Sequence, residues 1–187
     1  MRVIGGACRG MGLMAPSGIS TRPTSDRVKE ALFNIITSRF SFDGVRVLDI
    51  CAGTGSLGIE ALSRGAVLCS FVENDRKVLA CLEKNTSDPR IKTRSEIITV
   101  DVFKALSLFA RRNQKYDTVF FDPPYDSGLY IPVLEALCSL ELLDAPAFLV
   151  AECSVRNPLP DLFGLLTKYD RRIYGQTALE FFSLEET

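Results

Sequence analysis

From residue 45 onward, apolar positions switch back and forth between two periods. VRVLDI (45–50), LCSFVE (68–73), SEIITV (95–100), YDTVFFD (116–122) and AFLVAE (147–152) are short β-rich runs. Between them, SLGIEALSRG (56–65), DRKVLACLEKNT (75–86) and the stretches 102–112 and 129–140 space their apolar residues for one helical face. Val78, Leu79 and Leu82 form one such set, and Ile131, Leu134, Leu137 and Cys138 form another. Strands alternating with helices of this length build βαβ units, so the pattern predicts an α/β fold with a parallel sheet covered on both faces. The tail breaks the rhythm, since 165–174 and 178–184 have only a short YGQT turn near their junction. The expectation is a seven-stranded, mostly parallel sheet closed by an antiparallel C-terminal hairpin.

The first 44 residues read differently. RVIGGACRGMGL is Gly-rich and weakly strand-like, and GISTRPTS is a loop. DRVKEALFNIITSRF then places Val28, Ala31, Leu32, Ile35 and Ile36 on one face of an amphipathic helix. Thr24 or Ser25 is its expected N-cap, with Asp26 favourably placed in the first turn. The organisation predicted is an extension of hairpin and helix over 1–44, followed by a larger domain over 45–187.

Composition narrows the chemistry. The chain of 187 residues has no histidine, which excludes Ser-His-Asp and Cys-His catalysis and histidine-held metals. Its six cysteines (8, 51, 69, 81, 138, 153) contain no C-x-x-C pair and fall partly in apolar runs, so free thiols are expected. The absence of a signal-like or membrane-spanning apolar run leads to the expectation of a soluble, cytoplasmic protein. The net charge of −1 hides an asymmetry, since residues 1–40 carry +4 and the remainder −5. A basic arm on an acidic body suits a nucleic-acid footprint as well as it suits an ordinary solvated surface.

In DICAGTGSLG (49–58), Gly53, Gly55 and Gly58 form G-x-G-x-x-G between a strand and a helix, and Glu73 follows 20 residues after Gly53. Glycines admit close approach of a ligand, and a carboxylate at that spacing can accept both hydroxyls of a ribose. A dinucleotide is disfavoured, because Asp49 places an anion beside the turn that would receive the pyrophosphate. A further acid, Asp101, ends the third strand, where it can meet an adenine amino group. The P-loop pattern is absent, since Ile59 and Glu60 follow Gly58. Acids at three strand ends beside a glycine loop suit S-adenosylmethionine, which carries an ammonium, a ribose diol and an adenine but no phosphate.

The fourth strand stops abruptly in FFDPPYDSG (120–128), where consecutive prolines remove two donors and fix the backbone. Together DICAGTGSLG, VEND, VDVF and DPPY resemble the Rossmann-like methyltransferases that act on exocyclic amino groups of bases. MRVIGG, TRPTSDRVKEALFNI, LDICAGTGSLGIEALSRGA, FFDPPY and YGQTALEFF narrow this to a resemblance with the RsmD family of 16S rRNA (guanine-N2)-methyltransferases, over nearly the whole chain. The resemblance implies cofactor contacts from Asp49, Cys51, Gly53, Thr54 and Gly55. It adds Glu73, Asn74, Asp101, Val102 and Asp122. It also implies catalysis by Asp122, Pro123, Pro124 and Tyr125. An aromatic amine is a poor nucleophile, and acceptors such as the Asp122 carboxylate and the Pro123 carbonyl can turn it toward sp³ and stabilise its growing charge. Tyr125 can stack on an extruded base.

Arg2, Arg9, Arg22, Arg27 and Lys29 are the expected phosphate contacts, with Tyr125 against the base. The resemblance implies that the Arg22-Pro23-Thr24 loop lies over the cofactor. Relatives often have more basic residues where this chain reads CRGMGL, which points to structured RNA, within a small-subunit assembly particle, as the partner. A monomer is expected. The same DPPY also serves adenine-N6 methyltransferases on DNA or RNA, and a dinucleotide-binding reductase or a non-catalytic binder is the alternative from another class.

Overall fold

The computed structural model describes residues 1–16 and 24–185, and the side chains of all of these except 24–26. The strands are β1 (Arg46–Ile50), β2 (Leu68–Val72), β3 (Ser95–Ile98), β4 (Tyr116–Phe121), β5 (Leu143–Ser154), β6 (Leu162–Phe163), β7 (Leu166–Tyr174) and β8 (Thr177–Leu184). The helices are α1 (Thr24–Thr37), α2 (Ser56–Ser63), α3 (Arg76–Thr86), α4 (Val102–Arg111) and α5 (Tyr130–Ser139). Among the described residues one eight-stranded sheet forms, in the order β3-β2-β1-β4-β5-β8-β7-β6. β3, β2, β1, β4 and β5 pair in parallel, and β8, β7 and β6 continue antiparallel.

The sheet therefore has one strand more than expected. The addition, β6, is only two residues long and follows Pro158 and Pro160, too short for an alternating pattern. β5 also starts at Leu143 rather than 147, with a slip in its register against β4 between Tyr116 and Thr118. Pro146 cannot donate to a ladder, and such a slip tolerates it.

The direction of the chain reverses across the β1–β4 pair. From β1 it moves outward to β2 and β3, then returns to β4 and moves the other way to β5. Helices that follow strands on either side of such a switch diverge and leave a crevice at the carboxyl ends of the strands. Alternate residues of each strand feed two buried clusters. Leu48, Ile50 and Phe121 meet Leu106 and Phe109 of α4 and Leu134 of α5, whereas Val47, Phe71 and Phe120 meet α2 and residues of the first 44.

In α1 the buried face is Val28, Leu32, Phe33 and Ile36, turned from the expected one so that Ala31 and Ile35 are only half-buried. Phe33 lies 5.5 Å from Phe42 and 5.7 Å from Phe120, ring to ring. The helix already includes Thr24, so Thr24 and Ser25 are helical rather than capping. The N-terminal hairpin is reduced to a single bridge, Arg2 with Gly12, around a 3-10 turn at Gly6–Cys8.

Glu60 of α2 binds these pieces together. Its carboxylate, fully buried, accepts from the Ile4 and Gly5 N–H groups at 2.7 Å each and from Arg64 at 2.8 Å. Lys29 lies 3.6 Å away and donates to the Arg2 carbonyl at 2.7 Å. Glu60→Ala would orphan two amides and leave the Lys29 charge buried. The expected loss of unfolding free energy in urea titration is about 3–5 kcal/mol. A loss below about 1 kcal/mol would assign the attachment of the N-terminal segment to packing alone.

Candidate functional site

A cavity of about 830 Å³ opens at the carboxyl ends of β2, β1, β4 and β5. The register explains which side chains meet there. Ile50 pairs with both Val72 and Phe121, and Phe121 pairs with Ala151. The next residues on the four strands are Glu73, Cys51, Asp122 and Glu152, so they fall in one row across the edge of the sheet. Neighbouring strands are about 4.8 Å apart. The Asp122 N–H still reaches the Ile50 carbonyl at 3.4 Å, which carries the ladder into this row.

Asp49, two residues before Cys51 on β1, lines the inner end of the cavity beneath α2. It is 3% exposed and accepts the Gly58 N–H at 2.9 Å. Burial pushes its carboxyl up to about 8, the Gly58 bond opposing and nearby Glu73 reinforcing the shift. Cys51, ringed by Glu73, Asp122, Asp49 and Asp101, is raised to about 12, first by burial and then by those acids, so it faces the cavity as a neutral thiol.

Cys51 (φ 59°) and Gly53 (φ 56°) are both left-handed, which turns the loop back over the strand end. Of the three glycines, only Gly53 reaches the cavity wall, with nothing closer than 4.0 Å to where a Cβ would sit. A Cβ on Gly55 would lie 2.6 Å from Leu82, and one on Gly58 2.4 Å from Phe71. Gly55, expected to touch the cofactor, instead lets α2 start against α3 and is not part of the wall.

Glu73 receives three backbone N–H bonds of 2.8 Å, from Gly53, Asn74 and Asp75. The Gly53 bond clips the glycine loop to the end of β2. Asp101 caps α4 by accepting the Phe103 N–H at 2.9 Å, and stands exposed on the wall beside Val100 and Val102. Asp122, Pro123, Pro124 and Tyr125 line the same cavity, following the strand next to β1. The Tyr125 hydroxyl lies 2.8 Å from Thr177 Oγ1 and donates to Glu152 Oε1 at 3.3 Å. The Tyr130 hydroxyl is 3.0 Å from the Glu152 carbonyl and 3.4 Å from that of Pro123. The aromatic wall is thus tied to β5 and β8 rather than left to swing.

Six acids line the cavity (Asp49, Glu73, Asp75, Asp101, Asp122, Glu152), with Lys29 the only basic side chain among the described residues of the wall. A cationic ligand suits this wall and a pyrophosphate does not. Lys29 is not placed as a phosphate contact, because its side chain is 3% exposed and its ammonium is held by Glu60 and the Arg2 carbonyl. Arg2, Arg9 and Arg27 are exposed. Arg22 and Pro23 of the expected cover lie outside the described residues, and Thr24 belongs to α1. Sequence reasoning missed Glu152, Thr177 and Tyr130. Glu152 carried a readable signal, since AFLVAE also ends in an acid, and Thr177 belongs to YGQT.

All six cysteines are free thiols, no His, Cys, Asp or Glu cluster suited to a metal occurs among the described residues, and no described helix is long and apolar enough to cross a membrane.

Comparison with known proteins is consistent along the full chain. The family described as Conserved hypothetical protein 95 matches residues 1–183. The Bacillus subtilis protein named "Putative rRNA methyltransferase YlbH" is 37% identical over 182 residues, covering 97% of this chain and 98% of that one. Ribosomal RNA small subunit methyltransferase D of Escherichia coli K12 is 32% identical over 185 residues, covering 99% and 90%. A solved structure titled "Putative methyltransferase yhhF", also from Escherichia coli, superposes with a TM-score of 0.84 at 33% identity, covering 100% and 99%.

Proposed function

Because the chain belongs to the family described as Conserved hypothetical protein 95, the RsmD family, we propose that it is an S-adenosylmethionine-dependent methyltransferase acting on the exocyclic N2 of a guanine in 16S rRNA. The observation that carries this reading is one cavity shared by the acid-rimmed glycine loop and the Asp122-Pro123 elbow.

The wall fits the cofactor by the chemistry of its donors and acceptors. In this reading Asp49 meets the α-ammonium, Glu73 the ribose hydroxyls, and Asp101 with the Val102 backbone the adenine edge. S-adenosylmethionine supplies, when bound, an electrophilic methyl group on a sulfonium. The remaining work falls to this chain. The Asp122 carboxylate and the Pro123 carbonyl accept the two N–H groups of the guanine N2, draw its lone pair out of the ring and stabilise the positive charge that grows on nitrogen. Two prolines fix that carbonyl, and Tyr125, anchored by Thr177 and Glu152, offers a rigid face to an extruded base. No imidazole is needed, since the methylated nitrogen is acidic enough to lose its proton to solvent. Arg2, Arg9 and Arg27 are left to hold phosphates outside the cavity. A small-subunit assembly particle as substrate, and a monomer as the acting form in the cytoplasm, complete the reading.

Labelled S-adenosylmethionine offered with small ribosomal subunits, naked 16S rRNA and DNA, followed by digestion to nucleosides, tests it. The expected product is N2-methylguanosine from ribosomal RNA. Label in N6-methyladenosine, or in DNA only, overturns the substrate. Calorimetric binding of NAD(P) without binding of S-adenosylmethionine overturns the whole reading.

A further inference from the structure

We propose that Glu152 selects guanine over adenine by accepting the N1–H of the base whose N2 is held by Asp122 and Pro123. The inference rests on the guanine-N2 reading above and adds to it the group that recognises the base.

Three observations place Glu152 for this role. Phe121 pairs with Ala151, so Asp122 and Glu152 leave adjacent parallel strands side by side. Glu152 lines the same cavity as the DPPY residues. Its Oε1 accepts the hydroxyl of Tyr125, the ring expected to carry the base, so its carboxylate lies beside the edge of anything stacked there.

Guanine has a row of donors along this edge, N1–H followed by the two hydrogens of N2. The Glu152 and Asp122 carboxylates at adjacent strand ends, with the Pro123 carbonyl next in the chain after Asp122, offer acceptors for that row. Adenine has a lone pair at N1, which would face the Glu152 carboxylate with no proton between them and leave a buried acceptor unpaired. An elbow reading D-P-P-Y is shared by enzymes for either base, so selection has to come from a neighbouring group, and the neighbouring strand end bears Glu152. Thr177, 2.8 Å from the Tyr125 hydroxyl, holds the ring independently, so a change at Glu152 need not release it.

The test uses a base that keeps N2 but loses the N1 proton, 2,6-diaminopurine. Small-subunit rRNA transcribed with a small fraction of guanosine replaced by this analogue, naked and reconstituted with small-subunit proteins, is methylated by wild type and by Glu152→Gln. Digestion then gives the ratio of the two N2-methylated nucleosides relative to their incorporation. Wild type is expected to prefer guanine by about a hundredfold or more. Glu152→Gln, whose amide can donate to N1, is expected to bring the ratio within about tenfold of unity, with melting temperature and S-adenosylmethionine binding unchanged. A role confined to supporting Tyr125 would slow both bases alike and leave the ratio in place, and that result overturns the inference. So does equal methylation of both bases by wild type. Absence of N2-methylguanosine from the wild-type reaction sinks the guanine reading itself, and is recognised from that reaction alone.

Discussion

Asp122→Ala is expected to transfer methyl groups about a hundred- to a thousandfold more slowly than wild type at saturating S-adenosylmethionine, with cofactor affinity changed by no more than a few-fold. The split follows from where the residue sits. Asp122 stands one strand over from the β1 loop, in the row Glu73, Cys51, Asp122, Glu152 along the cavity. On the function proposed above, cofactor binding draws on Asp49, Glu73 and Asp101, whereas the amino group to be methylated has Asp122 and the Pro123 carbonyl to draw its lone pair out of the ring. Removal of one of two fixed acceptors aimed at developing charge takes away stabilisation specific to the transition state, which lowers kcat more than it raises KM. Asp122→Asn keeps an acceptor oxygen without the negative charge and should fall between the two. Single-turnover transfer, with cofactor affinity measured separately by calorimetry, checks the split. Unchanged turnover would remove Asp122 from the mechanism, and a loss confined to affinity would reassign it to holding the cofactor.

The parts legible in the sequence were those governed by local period. Buried parallel strands are apolar throughout and the helices between them are not, so β1 to β5 and α2 to α5 stood out, and acids at strand ends announced Asp49, Glu73, Asp101 and Asp122 as one rim. What escaped depended on long-range closure. Tyr125 meets Thr177 and Glu152 across 52 and 27 residues of chain, and no spacing rule brings them together. Lys29 is a different kind of miss. It lies three, four and seven residues before Leu32, Phe33 and Ile36, on the face that α1 buries, so its helical position argued for burial while its charge suggested phosphate. Its burial is satisfied by Glu60 on a helix that the sequence places 31 residues away. The glycines mislead in a related way, because the same residue type that admits a ligand also admits a neighbouring helix. Gly55 and Gly58 serve the packing and only Gly53 the cavity.

Asp49→Asn is expected to stabilise the ligand-free protein at alkaline pH while weakening S-adenosylmethionine binding by roughly ten- to a hundredfold. Burial raises the Asp49 carboxyl from 3.8 to about 8, so the folded, ligand-free protein holds a proton that the unfolded chain releases across that window. The folded state then binds more protons than the unfolded one between about pH 4 and pH 8, and stability falls as pH rises through this range, levelling off above it. An amide at this position does not titrate and can still accept from the Gly58 N–H, so the fall should flatten and the variant should melt several degrees above wild type at pH 8 and higher. On the function proposed above, the same buried acid meets the cofactor ammonium in ionised form. Wild-type affinity should therefore rise with pH up to about 8 and then level, and binding at neutral pH should release a proton, seen as a calorimetric heat that varies with the ionisation enthalpy of the buffer. The variant should show neither dependence. Wild-type affinity in Asp49→Asn, or a wild-type binding heat indifferent to buffer, would separate Asp49 from the ammonium and leave it as a group that only shapes the turn beneath α2.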